Sequence, residues 1–147
     1  MNHVFMVYTG IKYFQKTFIP EGKKGYIMEF ITTNINIEDK KQVYRLTKGD
    51  SLQVQNIEKG TSLPVDSFAI YTETKTRKKQ GGGEEEYQQT VLTFTSGNMK
   101  VGSISATFIK SFEEILDIMG DEKFSIIITG GKSKNGREYV NCELDCT

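Results

Sequence analysis

The amino-acid sequence predicts a mainly β fold with one helix, and three observations lead there. Apolar and polar residues alternate over most of the 147 residues, the period of strands that turn one face to a core. One segment, "TFIKSFEEILDIMG", breaks that period: Phe108, Phe112, Ile115 and Met119 recur at offsets of four, three and four, which marks one apolar helical face. Near the end of the chain, Asn135-Gly136 separates two alternating runs, the strongest short-range hairpin signal.

The elements follow in order. Gly25 to Thr33 alternates, with Tyr26, Met28 and Phe30 on one face. Gln42 to Thr47 and Ser51 to Ile57 read as further strands joined by the turn Lys48-Gly49-Asp50, a meander. Phe68 to Lys75 and Tyr87 to Thr95 form the next pair, with Phe68, Ile70 and Thr72 on one face and "RKKQGGGEEE" as the loop between them. Ser96-Gly97-Asn98 turns the chain into Met99 to Ile104.

The helix has Thr107 to cap its start, or Ser111 and Glu114 at capping-box spacing one turn later, and Gly120 to end it in a left-handed conformation. Lys123 to Thr129 then places Phe124, Ile126 and Ile128 inward. A type I′ turn at Asn135-Gly136 leads into Glu138 to Cys146, with Val140, Cys142, Leu144 and Cys146 inward.

From Ser51 onward the order is strands, one helix, then a closing hairpin. That order matches the OB-fold, a five-stranded Greek-key barrel. The chain is of single-domain size. The expected organisation is therefore one domain: an OB-fold-like core over 48–147 and an added N-terminal β extension over 1–47, serving as a hairpin, a dimerisation surface or strands of a larger sheet.

Composition narrows the function. Nineteen basic residues balance nineteen acidic ones, so any affinity for nucleic acid must come from local segregation of charge. No apolar run approaches the roughly 20 residues of a membrane helix, and Met1 to Gly10 lacks the pattern of a secretion signal, so a cytoplasmic location is expected. Cys142 and Cys146, four apart on one strand, would stand about 13 Å apart, too far for a disulfide.

Gly130-Gly131-Lys132-Ser133 resembles the end of a phosphate loop. The position that requires the first glycine holds Ile126, and a strand rather than a helix follows, so the nucleotide-binding reading fails. His3 is the one histidine, and neither a nucleophile elbow nor a Cys-His pair is present. Asp50, Asp66, Asp117 and Asp121 occupy turn and helix-end contexts, which suit solvated carboxylates better than a metal site. Neither a catalytic residue nor a metal or other cofactor is expected.

Binding chemistry has two candidate locations. On the last hairpin, Lys132, Lys134 and Arg137 can neutralise phosphates, and Tyr139 faces away from Val140 and Cys142 as a ring on which a base can stack. The second is Lys75, Arg77, Lys78 and Lys79, with Tyr71 on the same strand face as Lys75. Its basic half could instead be neutralised by Glu84, Glu85 and Glu86 across three glycines. Phe108, Phe112, Phe124, Tyr26 and Phe30 have core spacings; Tyr8, Tyr13, Tyr44 and Tyr87 stay unassigned.

"SATFIKSFEEILDI" followed by "GGKSKNGREYVNCEL", and preceded by "VLTFTSGNMKVGS", resembles the small single-stranded DNA-binding proteins of phages and mobile elements of Gram-positive bacteria. The resemblance spans about Lys59 to Cys146, and Ser133 to Tyr139 is its most distinctive part. It implies an OB-fold that coats single-stranded DNA without sequence preference during replication or recombination, as a dimer or higher oligomer. By position it puts Lys132, Lys134, Arg137 and Tyr139 at the binding surface. The cellular proteins of this type carry a long tail with an acidic tip that recruits partners, whereas this sequence stops at Asp145-Cys146-Thr147, so recruitment of that kind is not expected.

The expected function is thus non-enzymatic coating of single-stranded DNA, with phage or host replication proteins as possible partners. The alternative is a protein-interaction module or inhibitor that docks on a host replication or defence protein, using the N-terminal strands or the charged loop.

Overall fold

The computed structural model describes Lys16–Phe18 and residues 28–147. The described elements are β1 (Lys16–Phe18), β2 (Met28–Thr33), α1 (Lys40–Thr47), β3 (Leu52–Gln53), β4 (Ser62–Val65), β5 (Ser67–Lys78), β6 (Glu84–Ser96), β7 (Met99–Ser103), α2 (Ala106–Met119), β8 (Phe124–Lys132) and β9 (Glu138–Leu144). A short 3-10 turn, Val54–Asn56, follows β3. The fold is mainly β, as the alternation of the sequence implies.

Two sheets form. One has the order β1-β2-β5-β6-β7-β3 and the other β4-β8-β9, with every pairing antiparallel except β3 with β7. β4 and β5 are nearly one strand, interrupted at Asp66. There the Asp66 N–H donates to the Thr95 carbonyl at 2.9 Å and its carboxylate accepts the Gly97 N–H at 2.8 Å. The chain thereby passes from the small sheet into the large one, pairing first with β8 and then with β6.

The sheets do not close into a barrel. Among the described residues β9 pairs only with β8, and the outer edge of β7 is occupied by β3. Of the expected OB-fold-like five-stranded Greek-key barrel, the described residues thus show the mainly β character and not a closed barrel.

The main core lies between the two sheets and α2. Phe68, Ile70, Leu92, Phe94 and Val101 come from the large sheet; Leu63, Val65, Ile126, Ile128 and Cys142 come from the small one. Phe112 of α2 stands at its centre, its ring 5.7 Å from those of Phe68 and Phe94 and 5.9 Å from that of Phe124, distances typical of favourable aromatic pairs. Phe30, Phe108, Phe112 and Phe124 pack as their spacing suggests. Tyr26, Tyr8, Tyr13 and His3 lie outside the described residues.

A second core covers the opposite face of β5 and β6. Because successive strand residues point to opposite faces, Ala69 and Tyr71 turn away from Phe68 and Ile70. They are buried with Met28, Phe30, Ile35, Ile37, Val43 and Leu46. The connection after β2 is tied to β5: the Thr33 hydroxyl donates to the Phe68 carbonyl at 2.6 Å, and Asn34 Oδ1 accepts the Phe68 N–H at 2.9 Å. Residues 28–47 are a packed layer that extends the large sheet and caps it.

Four local expectations are corrected. Gln42 to Thr47 is helix, not strand, so the described residues hold two α-helices. Asp39 Oδ1 accepts the Gln42 N–H at 3.2 Å as N-cap, and Val43 and Leu46, three apart, share the buried face. Ser51 to Ile57 is only the two residues of β3 followed by the 3-10 turn. The helix α2 is capped by Ser105, whose hydroxyl accepts the Phe108 N–H at 3.3 Å, rather than by Thr107 or Ser111. β9 ends at Leu144, which leaves Cys146 exposed and not inward.

Candidate nucleic-acid interface

The β8–β9 hairpin brings one of the two expected clusters together. Its turn differs from type I′, since Gly136 alone has positive φ, at 78°. The Gly136 N–H donates to the Ser133 carbonyl at 2.9 Å, and the Ser133 N–H donates to the Arg137 carbonyl at 2.8 Å. This longer loop projects Lys134 and Arg137 at the tip, both exposed, with exposed Lys132 at the end of β8. None of the three forms an ion pair among the described residues.

Tyr139 lies on the outer face of this hairpin and is 44% exposed. It pairs across the strands with Gly131, and its ring covers that glycine: a Cβ added at Gly131 would stand 2.9 Å from the Tyr139 hydroxyl oxygen and 3.2 Å from Cζ. The missing side chain lets the ring lie against the strand and leave its other face to solvent. An exposed, supported ring on a hairpin that also carries exposed cations has the two components that single-strand binding requires.

A cation not singled out in the sequence also reaches this hairpin. The side chain of Lys59 crosses Gly130, where an added Cβ would overlap Lys59 Cε and the Tyr139 carbonyl oxygen. Lys59 precedes β4 in a turn with no distinctive local pattern. Its one sequence signal was the pair Gly130-Gly131, since glycine inside a strand marks close approach by another group.

The second cluster is arranged differently from expectation. "RKKQGGGEEE" is not a long loop, because β5 and β6 pair as far as Lys78 opposite Glu84. Only Lys79 to Gly83 turns, with Gly81, Gly82 and Gly83 at φ of 96°, 107° and 84°. Arg77 Nε donates to Glu85 Oε1 at 2.8 Å, and the Arg77 guanidinium carbon lies 4.7 Å from the Tyr87 ring centre. Lys75 lies 3.8 Å from Glu73. Lys78 and Lys79 stay exposed, but acidic residues on the facing strand offset most of this charge.

Tyr71 is only 2% exposed, which corrects its assignment as a stacking platform. Its ring packs against Phe30 at 5.9 Å between centres, because β2 and α1 cover this face of the sheet. A cleft of about 220 Å³ remains between the end of α1 and the sheet, with Tyr71, Glu73, Lys75 and Gln89 among its walls. Lys100, also on the cleft, donates to the carbonyls of Arg45 (3.1 Å) and Lys48.

Two titratable groups among the described residues are strongly shifted, each by a local cause. Burial, with the nearby Glu143 carboxylate adding to it, pushes the Cys142 thiol up to about 12. Both cysteines are free. The Ser62 hydroxyl, donating to Asp145 at 2.5 Å, and then Thr147 hold the Asp145 carboxyl down to about 2. Among the described residues no three metal-ligating side chains cluster, and Asp66 serves as a turn acceptor. No helix among them is long and apolar enough to cross a membrane.

Comparison with protein families, curated proteins and solved structures found no match to this chain.

Proposed function

We propose that this protein binds single-stranded DNA without sequence preference, through the β8–β9 hairpin. The observation that carries the reading is the half-exposed Tyr139 ring laid on Gly131, on a hairpin whose Lys132, Lys134 and Arg137 are exposed and free of ion pairs among the described residues. Bases stack on the ring and the cations follow the phosphates. Lys78 and Lys79 contribute a weaker, partly compensated field from the β5–β6 hairpin, and Arg77 and Lys75 serve mainly their carboxylate partners.

In this proposal the scaffold is an opened relative of the OB-fold. The order β4/β5, β6, β7, α2, β8, β9 supports that reading, with the two candidate hairpins placed as the ligand-flanking loops of such folds are. The resemblance to phage and mobile-element proteins supports a role in replication or recombination in the cytoplasm, with self-association along the strand and contacts to replication proteins.

The reading is tested by salt-dependent binding of a labelled oligo-dT. Affinity falls with salt at a log-log slope of about −0.7 per phosphate contact. Lys134→Gln and Arg137→Gln each make the slope shallower. An unchanged slope in both would remove this hairpin from the interface.

A second reading is favoured by a separate observation. The β5–β6 ribbon is exposed from Lys75 to Lys78, and its charges are compensated across the strands. Such an arm suits docking on a protein, such as a host replication or defence enzyme. Replacing Arg77 to Glu86 by a short turn separates the two: it abolishes partner capture in this reading and leaves oligo-dT binding largely intact in the first.

A further inference from the structure

We propose that Lys59 is a further phosphate-binding cation of the β8–β9 interface, positioned by Gly130, so that the hairpin holds a single strand on both of its faces; this rests on the single-strand reading above. Gly130 and Gly131 are neighbours in β8 and therefore open to opposite faces. Over Gly131 lies the Tyr139 ring, and over Gly130 lies the stem of Lys59.

The backbone beside Lys59 is pinned to β8. The Gly60 N–H donates to the Ile128 carbonyl at 2.7 Å, the Ile128 N–H donates to the Thr61 carbonyl at 2.9 Å, and the Thr61 hydroxyl closes the turn on the Glu58 carbonyl at 2.6 Å. From this anchor the apolar lysine stem, through Cδ and Cε, runs across bare glycine backbone. Lys59 is exposed and forms no ion pair among the described residues. Lys132, two residues beyond Gly130, belongs to the same face.

The arrangement selects its ligand. A base on Tyr139 and phosphates on Lys59 and Lys132 lie on opposite sides of one two-stranded hairpin, so the bound chain must bend round it. A single strand can do so within a few nucleotides, whereas duplex DNA has a persistence length of about 50 nm. The ligand class is an unpaired, flexible polynucleotide.

The test is fluorescence anisotropy of a labelled oligo-dT of about 30 nucleotides across a salt series, using the full chain, Lys59→Met and Lys59→Arg. Methionine keeps an apolar stem over Gly130 and removes the charge. The expected result is a slope shallower by about 0.7 for Lys59→Met, recovered by Lys59→Arg, with duplex DNA failing to compete. A Lys59→Met slope equal to that of the parent would overturn the assignment while leaving the single-strand reading intact. Duplex competing as well as single strand would overturn the two-faced grip. A parent chain that binds no oligonucleotide at low salt would overturn both.

Discussion

Tyr139 and Gly131 act as a unit: the glycine supplies a flat bed, and the tyrosine supplies the face that remains open. Tyr139→Ala is expected to weaken oligo-dT binding about tenfold, within the roughly 1–3 kcal/mol of one stacked base, while the thermal midpoint barely moves. Titrating the variant and following its melting by circular dichroism checks both. Gly130 and Gly131 should respond differently to alanine. At Gly130 the new Cβ meets the Tyr139 backbone carbonyl, so unfolding by urea should show a loss of about 1–3 kcal/mol; at Gly131 it meets only a movable ring, so binding suffers more than stability. The cysteines offer a check on burial. A thiol reagent at neutral pH should modify exposed Cys146 quickly and buried Cys142 only on unfolding. Because the folded state holds the Cys142 proton up to about 12, stability from this group is present below the ordinary thiol range near 8.5 and is lost as pH rises toward 12.

Elements with a long, single-period pattern were legible in the sequence, and short or charged ones were not. α2 and the inward faces of β8 and β9 follow from residues such as Phe108, Phe112, Ile126 and Cys142, whose spacing fits one period alone. α1 is hard to read from so short a segment because Tyr44 and Leu46 alternate with Arg45 and Thr47 as in a strand, although Val43 and Leu46, three apart, share a face only in a helix; the decisive feature is Asp39 as N-cap. The charged stretch after Lys75 carries nothing apolar to mark it as strand, yet cross-strand pairs such as Arg77 with Glu85 extend the ladder to Lys78. At the candidate site, Lys132, Lys134, Arg137 and Tyr139 were legible from local sequence. The burial of Tyr71 and the approach of Lys59 were not, since both depend on segments distant in the chain. Leu46→Ala should cost about 2–5 kcal/mol in urea unfolding, as expected where α1 closes a core. Arg77→Gln should cost no more than about 1 kcal/mol, since its ion pair is largely exposed, and should change oligo-dT affinity less than Arg137→Gln does.

Across the whole molecule, two cores back onto the two faces of β5 and β6, and the α2 side leaves the β8–β9 tip free while the α1 side covers Tyr71. In a chain whose charges balance at nineteen against nineteen, that division leaves the cations at that tip unpaired among the described residues while Lys75 and Arg77 of β5 meet carboxylates, the basis of the proposed interface. The segment after β9 is tied back to β4 through Asp145 and Ser62. With the Asp145 carboxyl held down to about 2, its contribution to stability is present above the ordinary carboxylate range near 4 and fades as pH falls through about 2. The measurement that bears most directly on the function is anisotropy of labelled oligo-dT with the parent chain at low and moderate salt, competed by duplex DNA. Salt-sensitive binding that duplex fails to displace is the expected result, and absence of binding at low salt would contradict it and direct attention to a protein partner for the β5–β6 arm.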